Sequence, residues 1–445
     1  MHYPIFDPGP MGPSTLIAVM AIVHVLIAHF AVGAGIATPW LEARAMRNGD
    51  TILAGFLRRY ARFLILLSFV GGAVTGVGIW FVVGLISPET ISLLIRQFVW
   101  GWATEWVFFI VEITSGYVYY FYWDQMKPKA HLTVGIVYAV SAWMSLFIIN
   151  GILTFMLTPG DWLVTRSFWD GWINPTFWPS LVLRTISALA IAGIFVAVVA
   201  NLDKSLDREK RRHIIGEGSV FLVPLAIMIP ASAWFFAVSP AHASDLALGG
   251  AVAMTMFFGF GILASTLVGL YAYFGLIKNK RLINMETALL LTAIALVATG
   301  SMEYVREGIR KPWVVYGYMY ANGLTRDEIT QFNQAGFFAS DPVVAREVNV
   351  PALTPAEKGR LIYKVQCQRC HEIDGYNAMR PLVASWTVDM IRENTRVLHR
   401  LKPFMPPFGG TDEDLENLVA YLSTLRSAEW DNLHPERPST VGGGQ

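Results

Sequence analysis

The apolar positions of this chain fall in long unbroken runs rather than in the spaced stripes of a soluble helix. Eight runs, over 16–40, 56–86, 97–123, 132–157, 177–201, 214–238, 246–277 and 287–304, approach or exceed the roughly 20 residues needed to cross a hydrocarbon core. No long polar linker separates them, so they predict a single bundle of about eight membrane helices. After Tyr304 the pattern changes to mixed polar and apolar positions. Thr354 is placed to cap a helix beginning Pro355-Ala356-Glu357. Further on, Leu415, Leu418, Val419 and Leu422 make one apolar stripe over 412–425. The predicted class is all-α: a polytopic membrane bundle over 1–313, a connector over 314–350, a small helical domain over 351–430, and a disordered tail over 431–445.

The connections orient the bundle. Arg44, Arg47, Arg58, Arg59 and Arg62 flank the first turn-around, and Lys127 and Lys129 lie in the third. Lys204, Arg208, Lys210, Arg211 and Arg212 mark the fifth, and Lys278, Lys280 and Arg281 the seventh. The even-numbered connections carry Arg96, Arg166 and little else. This bias predicts that the odd connections are cytoplasmic, with the N-terminus and everything after Val305 on the periplasmic side of a bacterial inner membrane. The start MHYPIFDPGPMGPS lacks the basic n-region of a cleavable signal peptide, so the first helix is expected to be an uncleaved insertion signal. Composition agrees: 54% of the 445 residues are hydrophobic, only 15% are charged, and the mean hydropathy is +0.45. Soluble domains carry about 25% charged residues. The net charge of +1 points to a lipid bilayer as surroundings and not to nucleic acid.

The two cysteines, Cys367 and Cys370, form CQRCH with His371. This is a C-x-x-C-H haem-attachment motif: two nearby thiols can form thioethers to the vinyl groups of one haem, and the adjacent histidine can ligate its iron. A helix start precedes the motif, Met405 follows in FMPPFGG, and an amphipathic helix closes the segment. Residues 354–425 resemble the class I cytochrome c family, whose distal methionine lies in such a loop before a proline, as in Met405-Pro406. The resemblance implies one covalent haem c held by His371 and Met405, with Met379, Met390 and His399 as rival distal ligands. His/Met ligation raises the potential and suits electron transfer.

Ionisable residues within membrane helices are costly and mark function. They are His24 and His29 in the first run, Glu105 and Glu112 in the third, Arg184 in the fifth, and Glu303, Arg306 and Glu307 at the end of the eighth. At 1.5 Å per residue, His24 and Glu105 lie roughly 12 Å from the outer ends of their helices, with Glu112 about 10 Å deeper. Glu303 and Glu307 share one helix face at i, i+4. A histidine and several carboxylates in the outer half of a bundle suit buried haem and a proton path. A helix-to-helix hydrogen bond is an equal reading for His29, and an ion pair with a bundle carboxylate the favoured one for Arg184. Glu286 complements the dipole at the start of the eighth helix.

The bundle resembles the large subunit of the cytochrome bd quinol oxidases over about 13–313. HVLIAHFAVGAGIATPWLE looks like that family's first helix, with His24 at the position of a high-spin haem ligand. EWVFFIVEITSGYVYYFYWD looks like its third, with Glu105 near a haem-site carboxylate and Glu112 at an acidic proton-pathway position. Glu307 to Trp313, EGIRKPW, resembles a signature whose glutamate ligates the second high-spin haem and whose arginine, here Arg310, neighbours it. The departures are informative. The family's low-spin haem takes a histidine from the fifth helix after an Asn-Pro. Here Asn174-Pro175 is followed by Arg184 and no histidine, while Met254 and Met256 lie near the partner methionine. The long quinol-binding loop is reduced to SPAHASD, the ninth helix is missing, and one residue is lacking between Glu105 and Glu112.

The resemblance implies one or two buried non-covalent haems of b or d type, absence of the low-spin haem, and a second bd-like membrane subunit as partner. Three functions compete. One is an oxidoreductase that accepts electrons through haem c from a periplasmic c-type cytochrome or similar carrier and reduces oxygen or another small molecule at His24, with Glu105 and Glu112 as catalytic residues. Another is a non-catalytic subunit relaying electrons between a membrane complex and periplasmic carriers. The third is a tether for a cytochrome c, which would need one helix and no intramembrane charge.

Overall fold

The computed structural model describes residues 6–278, 284–341 and 349–426. Lys280, Arg281 and the tail over 431–445 lie outside these residues. Among them, seven helices are long and apolar enough to cross a membrane: α1 (Pro13–Asn48), α2 (Thr51–Ile86), α5 (Pro128–Phe155), α6 (Phe177–Leu202), α7 (Arg208–Val238), α8 (Val252–Leu276) and α9 (Met285–Gly308). The third run of the sequence begins instead with a break at Phe98, which separates the short α3 (Pro88–Gln97) from α4 (Val99–Phe121). α4 is 23 residues long, but its tryptophans, tyrosines and two glutamates lower its hydropathy, so it is not among the seven. The chain is a polytopic, membrane-bound helical protein.

The molecule divides into two compact units. One comprises 20–79 and 95–309; the other comprises 1–19, 80–94 and 310–445. In the bundle unit, α6 is central: 67% of its most apolar window is buried, against 11% for α2. The reason is its run of small residues, among them Ala188, Ala190, Ala192 and Ala197, which let neighbouring backbones approach. On α1, a Cβ at Gly33 would sit 1.9 Å from the carbonyl oxygen of Ala188, so only glycine permits this crossing. The core continues through Phe30, Tyr60, Ile191, Ile194 and Phe221. The long apolar faces of α2, α4 and α8 point outward, with Val77, Phe81, Trp100, Trp106 and Val252 exposed. Such faces suit lipid rather than water.

The second unit contains a two-stranded hairpin, β1 (Trp313–Val315) with β2 (Met319–Tyr320), in which Trp313 pairs with Tyr320. The helices α10 (Arg326–Ala335), α11 (Pro355–Gln366), α12 (Val388–Arg396) and α13 (Asp412–Ser423) follow. Capping boxes open α10, α11 and α13 at Thr325, Thr354 and Thr411, each satisfying helix N–H groups that would otherwise lack partners. Ile362 and Tyr363 of α11 pack in one cluster with Leu415, Leu418 and Leu422 of α13. Leu324, Ile329, Phe332 and Phe337 belong to the same cluster. The described part of the segment read as a connector therefore contributes to this core, where its amphipathic stretches bury their apolar sides.

Candidate functional site

The candidate site residues fall in two groups. In the second unit, Cys367 ends α11, and the backbone N–H groups of Cys370 and His371 both donate to the Cys367 carbonyl at 3.0 Å. This turn brings the two thiols and the imidazole together. Both cysteines are free, and burial pushes the Cys367 thiol up to about 12. Nδ1 of His371 lies 2.9 Å from the Asn377 carbonyl oxygen. A carbonyl can only accept, so Nδ1 carries the proton and Nε2 keeps its lone pair. Burial lowers the His371 pKa, favouring the neutral ring that ligation requires. Tyr363 donates to the His371 carbonyl at 2.7 Å, holding the loop on α11. These features fit a covalent haem. Met405 is half-buried in the loop before α13, with its N–H donating to Lys402 at 2.8 Å.

In the bundle unit, His24 is held from α2. Nδ1 lies 3.1 Å from Thr75 Oγ1, and that hydroxyl donates to the Gly71 carbonyl at 2.7 Å. The hydroxyl proton is committed to Gly71, so Nδ1–H donates to Thr75 and Nε2 is left with its lone pair. This is the tautomer of an axial haem ligand. Thr75 follows a π-helical turn, Leu66–Gly72, a distortion often found at functional sites. His29, one turn below, is buried with no hydrogen-bond partner at either ring nitrogen.

The carboxylates are divided among different partners. Glu105 accepts a hydrogen bond from Ser145 of α5 at 3.3 Å. Glu112 lies in the buried face of α4 with Ser115, Gly116 and Tyr119. No hydrogen bond joins either to His24 among the described residues. Glu303 is paired with Arg184 at 3.5 Å and with Arg306 at 2.7 Å, so the charge on α6 where a low-spin histidine was sought is neutralised within the bundle. Glu307 lies in the last turn of α9, close enough to Arg306 to interact electrostatically. Arg310 is buried and donates to the Val314 carbonyl at 3.3 Å. Met254 packs against Gly308, while Met256 is exposed.

One constellation escaped the sequence reading. Glu42 accepts from Tyr119 at 2.6 Å and lies 2.7 Å from Nδ1 of His131, whose Nε2 is 2.9 Å from the Tyr119 carbonyl. The first apolar run ends at 40 and the fourth begins at 132, so both polar residues look like loop positions. Only the continuation of α1 to Asn48 and the start of α5 at Pro128 bring them inside. A buried-length helix with a charge just beyond its apolar run is the signal that was available.

Residues 15–248, more than half of the chain, match the family model described as cytochrome bd terminal oxidase subunit I. Residues 354–422 match the model described as cytochrome C oxidase, cbb3-type, subunit III. The structure of bd oxidase from Geobacillus thermodenitrificans aligns with a TM-score of 0.62 at 18% identity, over 70% of this chain and 90% of that chain, a likeness of fold. No curated protein matches the chain. The two family matches imply haem c in the C-terminal part and haem of b or d type in the bundle. The bundle, its intramembrane histidines and the match over 15–248 lead to one conclusion: the chain belongs to the cytochrome bd terminal oxidase subunit I family and carries a c-type cytochrome domain after its membrane helices.

Proposed function

We propose that this protein is a cytochrome c-linked oxidoreductase that reduces oxygen or another small molecule at a buried high-spin haem and takes its electrons from a c-type donor rather than from quinol. The observation that carries this reading is the join between α7 and α8. It is a single helical turn, Ala241–Asp245, and a kink, where a quinol site would need a long loop. The c-type domain supplies the alternative electron entry.

Haem iron supplies one-electron transfer and, where a coordination position is open, binding of a small oxidant. Cys367 and Cys370 would hold haem c, and His371 and Met405 would ligate its iron. His24 would ligate a buried haem, kept in the right tautomer by Thr75. Glu307 would serve a second haem, with Glu105 and Arg310 completing these sites. Glu112 would hold a proton on the buried face of α4. The domains are a bundle over 1–313 and a cytochrome domain over 351–430, both the N-terminus and that domain being periplasmic. A second bd-like membrane subunit would cover part of the outward apolar faces of α2, α4 and α8.

The second reading is an electron-transfer subunit without substrate chemistry, favoured by the burial of the Arg184–Glu303 pair in place of a haem ligand. Carbon monoxide distinguishes them. The reduced protein should bind it in a His24-dependent manner if it is an oxidoreductase. A dithionite-reduced spectrum unchanged by carbon monoxide would leave only the relay.

A further inference from the structure

The residues between the two cysteines, Gln368 and Arg369, have no role in attaching haem. In this structure their side chains bond to residues far away in sequence. Arg369 is buried, and its Nη2 lies 2.8 Å from Glu89 Oε2 in the first turn of α3. Both side chains are nearly inaccessible, at 6% and 11% exposure. Nη1 of Arg369 is 3.5 Å from Ser87 Oγ. The hydroxyl of Ser14, at the start of α1, donates to the Arg369 carbonyl at 2.8 Å. Gln368 donates to Asp7 at 2.8 Å, and the Tyr376 N–H donates to the Pro10 carbonyl at 2.8 Å. Gly323, at φ +87°, leaves the room for this pair, because a Cβ there would fall 2.3 Å from Nη1 of Arg369.

A flexible tether would leave the attachment loop in water. Here it is bound at both ends and in the middle to 7–14 and 87–89, through one buried ion pair and four hydrogen bonds. Surface ion pairs contribute little, but a buried charge persists only with its partner in place. Removing either partner in the closed loop would leave the other charge buried and unpaired. A bidentate-capable guanidinium suits such a buried, directional contact better than a lysine.

We propose that Arg369 is a positioning residue: its ion pair with Glu89 locks the haem-attachment loop onto the starts of α1 and α3, so that the ligand and thioether side chains of haem c are held in one arrangement. This inference rests on the electron-entry role given above to the c-type domain. That role says which group receives electrons. The clamp says that its attachment loop is held to 7–14 and 87–89.

The test uses the full-length, haem-loaded protein with Arg369→Gln, Glu89→Gln, and the charge swap Arg369→Glu with Glu89→Arg. Covalent haem staining should be equal in all of them, showing that the domain is made and loaded. Hydrogen exchange at the Tyr376 amide should accelerate about tenfold or more in each single variant, the factor that accompanies loss of about 1.4 kcal/mol, and return towards the wild-type rate in the swap. Reduction of haem c by a reduced soluble cytochrome should keep its rate, while onward oxidation of haem c by the bundle should slow about tenfold in the single variants. Wild-type amide protection together with wild-type onward transfer in Glu89→Gln would overturn the inference. Absence of onward transfer in the unaltered protein would instead overturn the electron-entry reading, and the amide exchange would still decide whether the clamp exists.

Discussion

Nδ1 of His24 and Oγ1 of Thr75 lie 3.1 Å apart, and the direction of that bond is fixed by a third group, the Gly71 carbonyl that takes the threonine proton. A metal ligand is only as well placed as the group that orients it. Thr75 therefore sets which nitrogen of His24 is available. Thr75→Val should retain a buried haem but broaden and shift its high-spin absorption and weaken carbon monoxide binding by about 10- to 100-fold. His24→Ala should eliminate that signal. Carbon monoxide difference spectra of the two variants separate ligand from support. An unaltered spectrum in both would remove His24 from the haem site.

Glu303 serves two guanidiniums, Arg184 and Arg306, and Arg306 also interacts with Glu307. Loss of Arg184 leaves Glu303 paired with Arg306 at 2.7 Å, but loss of Glu303 takes the carboxylate from the buried Arg184. Glu303→Gln should thus cost about 3–5 kcal/mol of stability, the usual consequence of breaking a buried pair. Arg184→Met should cost clearly less, because an apolar side chain of similar size replaces the desolvated charge. Thermal unfolding in detergent, followed by intrinsic fluorescence, gives the order. The reverse order would mean that Arg184 has a further partner.

Replacing Cys367 and Cys370 by alanine should abolish peroxidase-active haem staining of the denatured chain. Met405→Ala should keep the stain and lower the haem c potential, because thioether ligation favours ferrous iron. A potentiometric titration that leaves the midpoint unmoved would pass the distal role to Met379, Met390 or His399.

The pH response of the c-type domain has a definite sign. The carboxyl of Glu357 is held below its ordinary value of 4.5, first by the Thr354 N–H, and that of Glu416 below 4.5, first by the bond from Arg392. A depressed folded-state pKa contributes stability that is complete above the unfolded value and is lost as pH falls through the lowered one. Through these two carboxyls, the melting temperature read at the haem absorption should decline as pH falls below about 4.5. A melting temperature that rises on acidification below 4.5 would contradict these contacts.

The arginine and lysine bias of the odd connections predicts a periplasmic C-terminal domain. A reporter that is active only in the cytoplasm should be silent when fused after Leu425. Fluorescence or activity at that position would reverse the orientation and exclude a periplasmic electron donor.

By itself, the sequence determined the elements whose cause is local or compositional. Apolar length alone marks the spanning helices, because a bilayer demands about 20 apolar residues wherever they pack. The haem-attachment motif is likewise readable, since both thiols and the imidazole lie within five residues. Residues whose role depends on a partner were not readable. Phe98 breaks the third apolar run although nothing in its hydropathy marks the break. Glu42 and His131 look like loop residues until α1 and α5 extend past their apolar runs and meet Tyr119. Thr75 is an ordinary membrane threonine until a π-helical turn aims Gly71 and His24 at it. Arg369 is an anonymous position inside CQRCH until Glu89, 280 residues away, closes on it. Hydropathy and spacing report which segments are long and apolar enough to span a bilayer. Which charge meets which is a property of tertiary packing, because a buried ion pair is stable only when two distant segments are brought to one place.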